Sequence, residues 1–153
     1  MKSRAILFCV LSILFYNSNA QIKNTDSNWT FTTKTISESN RLYFQAFIKR
    51  DSSLLTSNYT ENCWIMTSGT TLCGPTAALD FYKTTYHDKG VRNGKMITNE
   101  LYGDGDQFII EDGFYQFLDK DNRLLENGTF LTVWEKKKEG WVMLRSSFHN
   151  HNN

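Results

Sequence analysis

Apolar residues recur at helical spacing over residues 35–50. Ile36, Tyr43 and Phe47 share one face, and Leu42 and Ala46 widen it. Thr35 and Glu38 stand three apart, the spacing of a capping box, so the helix is predicted to begin there. Asp51 reads as the N-cap of a second, short helix through Leu54, Leu55 and Tyr59. A third helix opens at Gly74-Pro75, because proline's missing N–H has no intrahelical partner in a first turn anyway. Ala78, Phe81, Tyr82 and Thr85 form its buried stripe, and Gly90 is its stop.

From Lys95 onward the period drops to two. Segments 96–102, 108–118, 128–136 and 141–148 are rich in β-branched and aromatic residues. Runs such as Gly103-Asp104-Gly105-Asp106 and Asp119-Lys120-Asp121-Asn122 separate them as turns. Short turns make these strands antiparallel neighbours. A smaller hairpin is predicted around Ser68-Gly69-Thr70, between the second and third helices. The whole is an α+β layout, with helices on one face of a sheet. In the last two segments both faces carry large apolar groups: Phe130 and Trp134 alternate with Leu131 and Val133. Helices cover only one face, so the other needs a cover, and a second copy of the chain is the simplest. A homodimer through the outer sheet face is therefore expected.

The first twenty residues read as an address. Lys2 and Arg4 precede a mostly apolar run over 5–16, and Ser18 and Ala20 stand where a signal peptidase requires small residues. Twelve helical residues are too short to span about 30 Å of hydrocarbon. The expectation is an exported protein, periplasmic or extracellular, cleaved near Ala20. Residues 21–34 read as a polar, flexible leader, 35–149 as one domain, and 150–153 as a frayed tail. Forty per cent hydrophobic residues suffice for a core. A net charge of +1 lacks the basic excess that grips a phosphate backbone, so no nucleic-acid partner is expected. No membrane association, cofactor or metal is expected either. In particular, no CxxC and no spaced His pair accompanies the cysteines to hold zinc.

Two cysteines lie beyond the signal. Pairing 65 with 71 and 64 with 72 would set Cys63 opposite Cys73, within reach of a disulfide in an oxidising compartment. The other open reading is two free thiols. The sequons Asn28-Trp29-Thr30, Asn58-Tyr59-Thr60 and Asn127-Gly128-Thr129 matter only in a glycosylating host.

Four stretches in order resemble a known family. Tyr59-Thr60-Glu61-Asn62, then the 74–81 run from Gly74-Pro75 to Phe81, is similar to the "YTED…G…AI..F" stretch of the SnoaL-like group, within the nuclear transport factor 2-like superfamily. Glu111-Asp112-Gly113-Phe114-Tyr115 matches that group's "E-x-G-x-Y". The 128–134 run with Gly140-Trp141 matches its "G-x-Y-x-x-V-W … G-x-W" ending. The resemblance covers residues 36–149. It implies a cone-shaped half-barrel (cystatin-like), a curved antiparallel sheet wrapped on three N-terminal helices with a pocket at the open end. It also implies frequent dimerisation through the sheet. Ketosteroid isomerase belongs to that superfamily, but its two acids align near Met66 and Leu131, neither ionisable. Many relatives also carry an Asp where Ser146 stands.

Glu111 and Tyr115 lie four apart on one strand and so share a face. Two readings are open for Glu111. It is a structural carboxylate binding a neighbouring side chain or backbone N–H, or it is a desolvated acid-base group. His149, just past the last strand, is either solvated or a partner to it, and His87 reads as a favourable charge at a helix C-terminus. Tyr43, Phe47, Phe81, Trp134 and Arg145 are the candidate pocket wall, or core and a surface cation. The leading expectation is an exported pocket protein that binds a small, partly apolar molecule without catalysis. The alternative is a cofactor-free lyase, cyclase or isomerase using Glu111 with Tyr115 or His149. A third is an interaction module whose pocket is filled by side chains.

Overall fold

The computed structural model describes residues 27–103 and 105–151. The signal with its cleavage near Ala20, the leader up to residue 26, and residues 152–153 of the tail lie outside these. No helix among the described residues is long and apolar enough to cross a membrane.

Helix α1 runs Ser27–Lys49, eight residues earlier than predicted, so most of the supposed leader is helical. Thr35 does not cap it. Its Oγ1 donates to the carbonyl of Phe31, a bond made inside a helix. The buried stripe begins at Thr32 and continues through Ile36, Asn40, Tyr43, Phe44 and Phe47. Arg50 ends α1 in the left-handed region, at φ 56°. Ser52, not Asp51, is the N-cap of α2 (Ser53–Thr56) and makes no side-chain cap bond; Asp51, one residue earlier, accepts the N–H of Ser53 on Oδ1. This helix stops short of Tyr59, which opens β1 (Tyr59–Met66).

A four-residue loop leads to β2 (Thr71–Cys73), closed by Thr67 N–H donating to the Thr70 carbonyl. That loop sets the register one residue away from the predicted one: Trp64 faces Cys73 and Ile65 faces Leu72. Cys63 consequently points into the core while Cys73 is exposed, and both are free thiols. A one-residue slip moves a side chain to the other face, which removes the expected disulfide. Helix α3 (Ala77–Lys83) continues through a π-helical turn over Thr84–Asp88, and Gly90, at φ 75°, ends it.

Four long strands follow: β3 (Asn93–Tyr102), β4 (Phe108–Leu118), β5 (Leu124–Lys137) and β6 (Gly140–Asn150). The last strand absorbs the start of the expected frayed tail: Asn150 pairs with Gly128, and His151 N–H donates to the Asn127 carbonyl. The small hairpin is not separate. It joins the meander in one sheet of order β2-β1-β6-β5-β4-β3. All neighbours are antiparallel except β1 and β6, which run parallel, so the sheet is mixed.

The helices pack on the inner, concave face. Ile109, Tyr115 and Phe117 of β4 meet Phe130 and Trp134 of β5 and Met143 and Phe148 of β6 there, all buried. Two glycines let the sheet bend. At Gly113 and Gly128 a Cβ would fall on the carbonyl of Ile97 or His149, and on the ring of Phe130 or Tyr115. The aromatic rings occupy the space the glycines leave. The outer face stays open. Trp64, Ile97, Phe108, Ile110, Phe114 and Leu131 are each 41–50% exposed.

Candidate functional site

Glu111 stands on the inner face of β4 between Ile109 and Gly113, and its side chain is 0% exposed. Three elements converge on it. Asn40 of α1 donates Nδ2 to Oε1 at 2.7 Å, and Thr98 of β3 donates Oγ1 to the same oxygen at 2.6 Å. Trp134 of β5 donates Nε1 to Oε2 at 2.9 Å. Asn40 reaches it because it is the polar member of the α1 stripe, one turn after Ile36. Trp134 reaches it because it pairs with Ile109 on the same face.

Burial pushes Glu111 above the usual carboxylate range, while the Thr98, Trp134 and Asn40 hydrogen bonds pull it back. Three donors and no acceptor suit the ionised form. A general base must present a lone pair to a substrate atom. A carboxylate with no exposed surface and three bonds made presents none. The geometry is that of a hydrogen-bonded, buried carboxylate.

Tyr115 shares the inner face, as expected, but its hydroxyl turns away from Glu111. It donates to Glu126 Oε1 at 2.6 Å, while Lys89 Nζ holds Oε2 at 2.8 Å. Burial first, and then the Glu126 carboxylate, push the phenol up. His149 is exposed and pairs with Thr129, one position along from the buried Phe148–Phe130 pair. Strand alternation puts it on the outer face, so it cannot assist Glu111.

The candidate pocket wall is also corrected. Tyr43, Phe47, Phe81 and Trp134 are 0–4% exposed and form the packed core. Phe47 packs on Tyr82 at 5.2 Å between centroids, and Phe81 stacks on Phe148 at 5.6 Å. Such buried rings leave no surface for a ligand. Arg145 is on the opposite face. Its guanidinium lies 5.3 Å from the Trp64 ring centroid and donates to the carbonyls of Asn62 and Leu144.

Ser146 is buried, with its Oγ 3.5 Å from Thr132 Oγ1. The hydroxyls of Tyr43 and Tyr59 are buried without a hydrogen-bond partner, and burial pushes both phenols up. Leu131 proves to be on the outer face, so the inward neighbours at that position are Phe130 and Thr132, which are not ionisable either.

The open space lies elsewhere. A groove of about 470 Å³ runs between α1 and β3, the edge strand of the sheet. Phe44, Ile48, Met96 and Ile97 give it apolar walls, while Glu38 and Arg41 pair at its rim. Asn40 and Thr98 also line it, with Glu111 directly behind them. Asn40 Nδ2 is committed to that carboxylate, so its Oδ1 must face away, and this atom is buried with no partner. The sequence carried a signal for Asn40, a polar residue on an apolar stripe. Nothing local indicated the partner it would meet.

A curved six-stranded sheet packed on N-terminal helices has known counterparts. A crystal structure of a protein of unknown function from Shewanella oneidensis, described as NTF-2 like, superposes with a TM-score of 0.63 at 21% identity. The match covers 76% of this chain and 98% of that one. The chain has the nuclear transport factor 2-like fold. A domain of unknown function from Nostoc punctiforme, described as cystatin-like, gives 0.67 at 16% identity, over 81% of this chain and 80% of that one. A ketosteroid isomerase-like protein from Erwinia carotovora gives 0.62 at 15% identity, over 78% and 96%. No protein-family model matches the sequence. No curated protein matches it. Within the nuclear transport factor 2-like fold, the described inner-face residues of this chain pack as core, and a groove lies along α1 and β3.

Proposed function

We propose that the chain is an exported, non-catalytic binding protein. Its ligand is a small, partly apolar molecule held in the groove between α1 and β3. The observation that carries this reading is the groove itself, about 470 Å³ with apolar walls from Phe44, Ile48 and Met96 beside the polar side chains of Asn40 and Thr98. The volume also lies in the range of small-molecule sites, roughly 300–1,000 Å³.

The test is an NMR titration with small apolar alcohols and primary amides. Saturable shifts are expected at Asn40, Met96 and Thr98. Ser37→Trp fills the groove from the exposed side of α1 without touching Glu111, and should abolish them. Shifts that survive Ser37→Trp, or none with the native chain, would sink the reading.

A second copy is proposed for the outer face. Six half-exposed apolar residues lie on that sheet face, and exposed apolar surface of this kind favours association between copies. A twofold interface uses the same patch on both copies, and Asp112 and Arg145 supply one charge of each sign on that face. Native mass spectrometry of protein purified from its own host should find two copies, each beginning at Gln21. Ile110→Asp combined with Leu131→Asp should leave a folded monomer. A native chain that is monomeric at micromolar concentration, or that retains Met1, would contradict the corresponding part.

A further inference from the structure

A second hollow, of about 580 Å³, opens where the end of α1, the segment after the π-helical turn and the β4–β5 turn meet. Each contributes a cation: Arg50, Arg92 and Lys120. Arg92 is held in place. Its Cζ sits 3.7 Å over the Tyr86 ring centroid, and Nη1 donates to the carbonyls of Tyr86 and Val91. The ion pairs among the described residues join Arg41 to Glu38, Lys89 to Glu126, Lys137 to Glu135, and Lys120 and Arg123 to Asp121. Arg50 and Arg92 take part in none of them. An immobilised guanidinium without a counter-ion, its remaining N–H groups unspent, is the arrangement that receives a planar oxyanion by a two-pronged contact.

One carboxylate lines the hollow as well. Asp119 Oδ1 accepts the N–H groups of Asp121 and Arg123, and these bonds hold Asp119 below the usual carboxylate range. Lys120 is paired with Asp121, so Arg50 and Arg92 against the one carboxylate of Asp119 leave the hollow positive. Asn93 and Asn122, hydrogen-bonded to each other, complete the polar side, and the opposite wall is apolar. Ile48 is half exposed, and the edges of Phe47 and Tyr86 lie behind it.

We propose that this hollow is a binding site for an organic carboxylate with a flat apolar body. The carboxylate meets Arg92 and Arg50, and the body lies along Ile48. The site is separate from the α1–β3 groove, although both touch Ile48 and Asn93.

The probe is benzoate, titrated into the full chain at low salt and followed by NMR. Saturable shifts are expected at Arg50, Arg92 and Tyr86. Arg50→Asn removes the charge while keeping a residue that tolerates the left-handed conformation. Arg92→Lys keeps the charge but loses the fork. Each should weaken benzoate about tenfold, the size of one lost charge-assisted hydrogen bond. Arg41→Ala, in the other groove, should change nothing, and Ser37→Trp should leave benzoate binding intact. Inorganic phosphate should bind more weakly than benzoate, since it lacks the apolar body. Absence of saturation, equal binding by Arg50→Asn and the native chain, or phosphate binding as tightly as benzoate would each overturn the assignment.

Discussion

Glu111→Leu is expected to destabilise the fold by about 2–6 kcal/mol, from two buried donors left without an acceptor at about 1–3 kcal/mol each. The carboxylate accepts Asn40, Thr98 and Trp134 at once. Leucine strands the buried Asn40 and Trp134 donors, while the exposed Thr98 can turn its hydroxyl to water. A domain of this size has only about 5–15 kcal/mol in total, so the variant should be partly unfolded at 37 °C. Glu111→Gln should be milder, at about 1–2 kcal/mol. Its carbonyl still receives Asn40 and Thr98, but its NH₂ meets the Trp134 N–H donor to donor. Urea unfolding at unchanged slope measures both. A native-like midpoint for Glu111→Leu would show that the cluster contributes nothing.

The same side chain sets a pH dependence. Burial holds the folded value above the ordinary 4.5, so the folded protein keeps this proton longer than the unfolded chain does. The native chain therefore gains relative to Glu111→Gln below 4.5, and loses that gain as pH rises through the folded value. The stability difference between the two proteins, followed from pH 4 upward, should shrink in that direction.

Gly128→Ala should cost about 3 kcal/mol and lower the melting temperature by roughly 10 °C. The new methyl group falls on the backbone carbonyl of His149 and on the Tyr115 ring. Neither moves freely. His149 is paired with Thr129, and Tyr115 is tied to Glu126 through its hydroxyl. Strands β5 and β6 must separate to admit the group. Gly69→Ala is the control. Nothing lies within 4 Å of its Cβ position and its φ is not positive, so a change within about 0.5 kcal/mol is expected. Equal melting temperatures for the two variants would mean the sheet bends without the help of Gly128.

The elements were largely legible because each depends on a local period. Segments 108–118 and 141–148 alternate so regularly that their strands match or nearly match. Misreadings came from short-range rules overruled by tertiary structure. Thr35 and Glu38 have capping spacing, yet Trp29 and Thr32 extend the packed helix past them. The cysteine pairing failed by one residue of register, which the Thr67–Thr70 loop decides.

Glu111 and Tyr115 were correctly placed on one face, since that needs only alternation. What each touches was not legible. Asn40 and Glu111 are 71 residues apart in the chain, and only the fold brings them together. The same holds for Arg50 and Arg92, which only the fold brings to one hollow.

The parallel pairing of β1 with β6 has a consequence for how the chain is made. The last described strand to leave the ribosome is not at the rim of the sheet but near its middle, between β1 and β5. Until it emerges, the nascent protein holds two half-sheets with open backbone edges facing a gap. Those edges invite foreign strands during every round of synthesis. The final eleven-residue strand works as a keystone, and a nascent chain stalled before Gly140 should be bound by chaperones rather than folded.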